Sequence, residues 1–399
     1  MSMTSPSAVY ICADSGVPVF GEKGCSVHVQ EMLGAFLEEG LEMRLIAQRL
    51  GGVPGGQIAR ARLSVLPPLA APDVAGRETS ALLANRDLEA ILSHCGAHRA
   101  EFLYERYSLW SYAGMEFARR VGVPGLLEVN APLIDEQLEH RGLVHLAECR
   151  EVAHRVFEAA THLLAVSEEL AAWLDAQPGA RGKVSVLPNG VSPSRFVPNV
   201  APAQVRGLGG MVIGFLGTLK PWHGLMTLLE AFAVVRQQRP DAQLLLVGDG
   251  PERARLAARA EELGISSAVH FAGAVKPSDV PSWLASMDVA VAPYPPMESF
   301  YFSPLKVYEY LAAGRAIVAS RIGQITSVVQ DGVTGLLVEP GQVAPLSQAL
   351  LRLSADAGLR QSLGCAGRSW VLKHRTWKSS ARRVRALAAE SRNLEVSIP

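Results

Sequence analysis

No stretch of these 399 residues approaches the roughly 18 uninterrupted apolar positions of a membrane span, although 49% of the chain is hydrophobic. Neither charge is in excess. Lys+Arg and Asp+Glu stand at 38 each, which argues against a nucleic-acid binder, since such proteins carry a basic surplus, but leaves room for a local basic patch. No basic run opens the chain. Met1-Ser2-Met3-Thr4-Ser5-Pro6 is uncharged, and the apolar run Ala8 to Ala13 is too short for a signal-peptide core and reads as a strand. Cysteine is scarce and scattered (Cys12, Cys25, Cys95, Cys149, Cys365), with no C-x-x-C pair, which speaks against a disulfide framework or a zinc site and for reduced thiols. Cys25, in a glycine loop, has a claim to reactivity that rests on residue type alone. Internal repeats and low-complexity tracts are also missing. These absences imply a cytoplasmic protein, and its length suits two α/β domains that each bury a core.

What is present is alternation. Short apolar runs (Ala8 to Ala13, Met43 to Ala47, Phe102 to Tyr104, Leu126 to Val129, Leu163 to Val166, Val184 to Leu187) are separated by helical periodicity, as over Val27 to Glu39, Leu82 to Cys95, Tyr112 to Val121 and His145 to Ala160. Gly51 to Pro72 reads as a Pro/Gly-rich stretch. Near residue 190 the character breaks: Pro188-Asn189-Gly190, three further prolines up to Pro202, and Gly207, Gly209 and Gly210 make a linker. The alternation then restarts with strands at Met211 to Gly217, Gln243 to Val247, Val269 to Phe271, Val289 to Ala292 and Ile317 to Ala319. Strands alternating with helices imply parallel sheets with right-handed crossovers. The expected fold is α/β, with two Rossmann-like doubly wound domains facing a central cleft. The first should span 1–192 and the second 193–375, with a terminal helix in 376–399 packing back on the first. Ligands of such sheets lie beyond the carboxyl ends of the strands.

The segment Ser303-Pro304-Leu305-Lys306-Val307-Tyr308-Glu309-Tyr310-Leu311-Ala312-Ala313-Gly314 predicts a short helix with Ser303 as N-cap and Pro304 at the first helical position. Its unsatisfied N–H groups and partial positive charge suit a diphosphate, Lys306 would add a full charge, and Glu309 could accept from two ribose hydroxyls. The same residues also fit an ordinary capped helix with a solvated Lys and Glu. Gly217-Thr218-Leu219-Lys220-Pro221-Trp222-His223-Gly224 places a basic loop after one strand, and Val247-Gly248-Asp249-Gly250 places a glycine turn after the next. His270-Phe271-Ala272-Gly273-Ala274-Val275 could offer main-chain amides to a base edge. In the first half, Gly21-Glu22-Lys23-Gly24-Cys25-Ser26 opens a helix, either as a tight turn or as a phosphate loop.

Taken in order, and with Val186-Leu187-Pro188-Asn189-Gly190-Val191, Met287-Asp288-Val289-Ala290-Val291-Ala292-Pro293 and Asp331-Gly332-Val333-Thr334-Gly335, these segments resemble the donor domain of the retaining GT-B glycosyltransferases of family 4 (glycosyl transferases group 1). The resemblance covers roughly residues 160 to 350 closely and the rest loosely. It implies a transferase that moves a sugar from a nucleotide diphosphate-sugar to an acceptor hydroxyl with retention. Glu309 matches the family's ribose-binding second Glu. The family's first Glu falls on Tyr301, with Glu298 the nearest acidic residue, and its usual Arg and Lys fall on Thr218 and His223. Lys220 and Lys306 then inherit charge neutralisation by proximity. The implied catalytic set is Asn130 (where the family often has His), Lys220 and Lys306. Donor binding falls to Gly24, His223, Gly248, Gly273, Val275, Glu298, Ser303, Pro304, Leu305 and Glu309, and acceptor binding to Arg106. His28, inside its helix, reads as structural. No cofactor or metal is expected. The other common glycosyltransferase fold holds its cation with D-x-D, and no two Asp residues here lie two positions apart.

The residues leave open the base, the sugar and the oligomeric state. They also leave open the acceptor, whether small molecule, glycan or glycolipid, with a peripheral membrane contact included. A nucleotide-sugar epimerase would be expected to carry more acid/base residues. A two-lobed sugar-binding protein would not need Lys306 and Glu309. A catalytically silent GT-B partner subunit would fit the departures at Tyr301, Thr218 and Asn130.

Overall fold

The computed structural model describes residues 7–69, 71–140, 142–205 and 207–396. The opening Met1–Pro6, read above as lacking a basic segment, lies outside them, as do residues 397–399 of the expected terminal element. The chain divides into two compact units, Met1–Asn189 with Tyr301–Ser303 and Trp377–Pro399, and Gly190–Phe300 with Pro304–Thr376.

Among the described residues the first unit holds the strands β1 (Ala8–Cys12), β2 (Met43–Ala47), β3 (Arg62–Val65), β4 (Phe102–Arg106), β5 (Gly125–Val129), β6 (His162–Ala165) and β7 (Val184–Val186). They form one parallel sheet in the order β3-β2-β1-β4-β5-β6-β7. Its helices are α1 (Gly24–Glu38), α2 (Val74–His94), α3 (Ala113–Arg120), α4 (Leu133–His140), α5 (Leu146–Ala159) and α6 (Glu168–Asp175). The central strands β1 and β5 are buried at every position, because helices cover both faces of a parallel sheet and leave no wet side to alternate with. Glu78 on α2 accepts from Val144 N (3.1 Å) and His145 N (2.8 Å), so a carboxylate from another helix serves the start of α5, where His145 itself supplies no cap.

The second unit repeats the plan with β8 (Val212–Leu216), β9 (Gln243–Val247), β10 (Val269–Gly273), β11 (Val289–Ala292), β12 (Ala316–Ser320) and β13 (Leu336–Val338), in the parallel order β10-β9-β8-β11-β12-β13. Helices α7 (Leu225–Gln238), α8 (Arg253–Glu262), α9 (Val280–Ala285), α10 (Leu305–Ala312), α11 (Ile325–Val328), α12 (Val343–Ala355) and α13 (Ala357–His374) flank it. The last helix, α14 (Trp377–Val396), packs within the first unit. Trp377 stands edge-on to His28 at 4.8 Å, Arg382 Nε donates to Glu39 at 3.0 Å and Arg385 to Glu101 at 3.2 Å.

In both sheets the order reverses beside the first strand, between β1 and β4 and between β8 and β11. The loops leaving those strands diverge there and open a crevice at the carboxyl end of the sheet. Three local readings need correction. The Pro/Gly stretch contains β3, whose Arg62-Leu63-Ser64-Val65 is a half-exposed edge and carries no apolar run. The stretch between Val129 and His145, where no helical periodicity was read, contains α4. Helix α2 starts eight residues earlier than its apolar periodicity, because Asp73 caps it by accepting from Gly76 N at 2.7 Å.

Candidate functional site

In the second unit three neighbouring strands reach glycine at their carboxyl ends: Gly217 after β8, Gly248 after β9 and Gly273 closing β10. Gly217 N donates to Val247 O (2.9 Å) and Gly248 N to Gly273 O (2.8 Å), so the turns interlock and the Gly248 amide is taken up inside the fold. Gly248 has φ 134°, and a Cβ on it would lie 2.0 Å from Gly217 O. Gly217 has φ 143°, and its missing side chain is what admits Lys306, whose Nζ would sit 2.9 Å from a Cβ there. Conformation favours glycine at both positions, and at Gly248 the neighbouring backbone leaves no room for a side chain either.

Lys306, the second residue of α10, keeps part of its stem at the surface, but its Nζ is buried without a hydrogen-bond partner. The amine lies 4.2 Å from the centre of the Phe215 ring and 5.4 Å from that of Tyr294. Burial pushes its pKa down to about 7, against the opposing pull of Glu309. A buried amine with nothing to donate to gains most from an anion. Lys220, by contrast, has its Nζ 5.2 Å from the Trp222 ring. His223 adds no charge to the loop. Its Nδ1 donates to Thr218 O at 2.6 Å, and burial, then the nearby Lys306, drives its pKa down to about 3. The imidazole is neutral, with Nε2 left as an acceptor. The loop expected to be basic thus carries lysine charge only.

Glu309 lies one turn beyond Lys306, half-buried, and pairs with Arg195, whose Nη1 is 3.5 Å from Oε1 while Nη2 donates to Pro277 O at 3.0 Å. Sequence reading missed Arg195. It stands in the Pro-rich segment Val191 to Pro198, where no motif marks it. Below the strand ends, Tyr310 OH accepts from Leu216 N (2.8 Å) and so ties α10 to β8. Leu305 is the first helical residue. Pro304 occupies the cap position with no side-chain cap, which corrects the expectation that Ser303 caps the helix and Pro304 begins it. Ser303 Oγ instead accepts from Asn189 N at 3.1 Å, and Asn189 Nδ2 donates to Ser303 O at 2.7 Å. Val275 is half-buried on the loop after β10, and Glu298 is exposed on the loop before α10. Tyr301, where the family pattern has its first Glu, donates its hydroxyl to Glu136 within the first unit.

In the first unit Gly24 is the first residue of α1 and Lys23 provides no side-chain cap. Beneath that helix the register aligns Cys12, Arg106 and Glu128 across β1, β4 and β5, with Tyr10 and Tyr104 two residues earlier on the same face. His28 Nε2 contacts Glu128 Oε1, both side chains being almost fully buried. Burial raises the Glu128 carboxyl, but His28 and Arg106 more than offset this and hold it below its usual value. Burial also lowers the Arg106 guanidinium, and Glu128 and Tyr10 reverse that. Arg106, expected at the acceptor, lies in this layer with its Nη1 buried and without a hydrogen-bond partner. Asn130, just past β5, is half-buried and its Nδ2 is buried without a partner.

A cavity of about 670 Å³ opens at the carboxyl ends of β1 to β4 in this unit. Loops after these strands and the flanks of α2 and α4 line it, including Asp14, Arg49, Leu66, Arg77, Trp110 and Glu136. It spans the reversal of strand order, where a doubly wound sheet takes its ligand. Arg106 and Gly24 are not among its lining residues.

Residues 210–356, which carry the glycine turns, Lys306 and Glu309, match the family model of glycosyl transferases group 1. Over 276 residues the chain is 29% identical to 2-deoxystreptamine glucosyltransferase of Streptomyces kanamyceticus, covering 66% of this chain and 70% of that one. Across four such relatives the aligned stretches span between 52% and 70% of their length. Sucrose-phosphate synthase from Thermosynechococcus elongatus superposes with a TM-score of 0.74 at 20% identity, covering 96% of this chain and 98% of that one. HepE of Anabaena, solved in complex with UDP, does so with a TM-score of 0.69 at 16% identity, over 96% and 100%. The fold is that of the GT-B glycosyltransferases. No described helix is long and apolar enough to cross a membrane.

Proposed function

We propose that this protein transfers a sugar from a nucleotide diphosphate-sugar to an acceptor hydroxyl, with retention of anomeric configuration and without a metal ion. The observation that carries the reading is the Lys306 amine, buried without a hydrogen-bond partner where β8 ends on Gly217 and α10 begins. A diphosphate at that point would restore the lysine's charge and draw on the first N–H groups of α10. Lys220 adds a second charge, and Glu309, oriented by Arg195, suits the ribose hydroxyls. The Nε2 of neutral His223 can accept from a hydroxyl of the donor.

In this reaction the bond from the anomeric carbon to the diphosphate breaks, and positive charge develops on the sugar. The acceptor hydroxyl attacks from the face the diphosphate leaves, and its proton passes to the departing phosphate. Stabilising that leaving group is the main demand on the enzyme, and a nucleophile is not needed. Asn130, an amide with an unpartnered Nδ2, can hydrogen-bond a sugar hydroxyl but cannot act as a base. A relative named as GDP-mannose-dependent and the UDP complex of HepE support a nucleotide donor. The test is turnover of UDP- and GDP-sugars by the purified chain with the product's anomeric proton read by NMR. An α-linked product from an α-linked donor, formed undiminished in EDTA, is expected. Inversion, or activity that returns only with Mg2+ or Mn2+, would overturn the reading.

A further inference from the structure

The cavity of about 670 Å³ in the first unit carries information about what it holds once its polar groups are sorted by whether the fold already uses them. Each of its carboxylates accepts at least one hydrogen bond from the fold. Asp14 Oδ1 accepts from Gly16 N at 2.7 Å, and Glu136 accepts from the Tyr301 hydroxyl. Both oxygens of Glu78 are taken by Val144 N, His145 N and His145 Nδ1 at 2.8 to 3.1 Å. Its amides are engaged too. Asn85 donates to Leu82 O and Trp110 O and accepts from Tyr112 N and Ala113 N, while Gln48 and Gln137 donate to Pro67 O and Gly142 O. Two lining groups stand out against this. The exposed side chain of Arg49, on the loop after β2, has no hydrogen bond or ion pair among the described residues, and that of Arg77, exposed in the first turn of α2, makes one long hydrogen bond of 3.4 Å to Pro72 O. Neither arginine has a carboxylate within ion-pairing distance among the described residues. Apolar side chains such as Leu66, Leu88, Leu109 and Trp110 form much of the remaining wall.

We infer that this cavity takes an acceptor bearing a phosphate on a sugar-sized body, held by Arg49 and Arg77. The inference rests on the transferase reading only for the word acceptor; the anion site stands on the lining itself. Two arginine side chains without a carboxylate partner offer forked donors that match phosphate geometry. The apolar wall suits the carbon faces of a ring. The phosphate can belong to a soluble sugar phosphate or to a lipid headgroup.

Calorimetric titration of the full chain with glucose 6-phosphate, glucose and glucosamine tests this, beside sedimentation with phosphatidylglycerol and phosphatidylcholine vesicles. Glucose 6-phosphate should bind at least about tenfold more tightly than glucose, and Arg49→Gln and Arg77→Gln should each remove about tenfold of that preference, as lost charge-assisted bonds do. Capture on phosphatidylglycerol but not phosphatidylcholine vesicles, lost in the double variant, would place the anion on a lipid headgroup. Sugar-phosphate binding without capture would place it on a soluble acceptor. Equal binding of glucose and glucose 6-phosphate without vesicle capture, tightest binding of glucosamine, or a preference that survives both substitutions would overturn the inference. UDP binding in the same preparation tells the two readings apart. Phosphate selectivity without UDP binding would sink the donor reading and leave this one standing, and the converse would sink this one alone.

Discussion

Each unit buries a cation near the carboxyl end of its sheet, and the two are treated oppositely. Arg106 in the first unit sits beside Glu128, with Tyr10, Cys12 and His28 close by, and its charge is held firmly despite burial. Lys306 in the second unit has aromatic rings for neighbours and Glu309 one turn away, and burial brings its pKa down to about 7. Both cations have a buried nitrogen without a hydrogen-bond partner, Arg106 Nη1 and Lys306 Nζ, but Arg106 has Glu128 and Tyr10 to hold its charge, whereas burial outweighs Glu309 at Lys306. The two cations, both of which looked like binding residues in the sequence, thus differ in how far their surroundings offset burial.

The comparison breaks most visibly at Glu128. Glu128→Ala should strand Arg106 and destabilise the first unit by about 3–5 kcal/mol, which chemical denaturation would read as an early transition. Unchanged stability would mean that the charge layer does not support the fold. Next in size, Lys306→Met should weaken nucleoside diphosphate binding by about 1.5–3 kcal/mol, the worth of a charge-assisted bond. It should also raise Tm at neutral pH. The folded pKa of Lys306 lies below its usual 10.5, so its cost to stability is absent above that value, grows as pH falls toward about 7 and is constant below. The Tm gap between variant and wild type should therefore open between those limits. A gap independent of pH would contradict the assignment. Third, Glu309→Ala should cost about 1–3 kcal/mol in nucleotide affinity, and Glu309→Gln less, with the transfer step suffering little because a ribose contact is made in ground and transition states alike. Unchanged affinity with collapsed turnover would move Glu309 into the chemistry. The smallest effect should come from Arg195→Gln, a few-fold loss of affinity through a looser Glu309.

The fold class was legible because buried parallel strands are apolar without alternation, and runs such as Ala8–Cys12 and Val289–Ala292 announce themselves. Edge strand β3 was not, since half its side chains face water and its Arg and Ser break the run. The position of Lys306 and Glu309 was legible from the helix pattern. The proton on His223 was not, because its neutrality arises from burial near Lys306, which no local window contains. Arg195 was invisible for a related reason: it meets Glu309 across 114 residues of chain. Ser303 carried the right residue type for a cap, yet its hydroxyl went to Asn189, a competition that only tertiary structure decides.

The claim that Lys306 waits as an unpaired amine for a diphosphate is tested most directly by proton uptake. Titrating wild type and Lys306→Met with UDP or GDP at about pH 8, in buffers of different ionisation enthalpy, reports the protons taken up on binding. The account predicts uptake of about one proton per nucleotide by wild type and close to none by the variant. Tight binding with no uptake in wild type, or equal uptake in both, would contradict it.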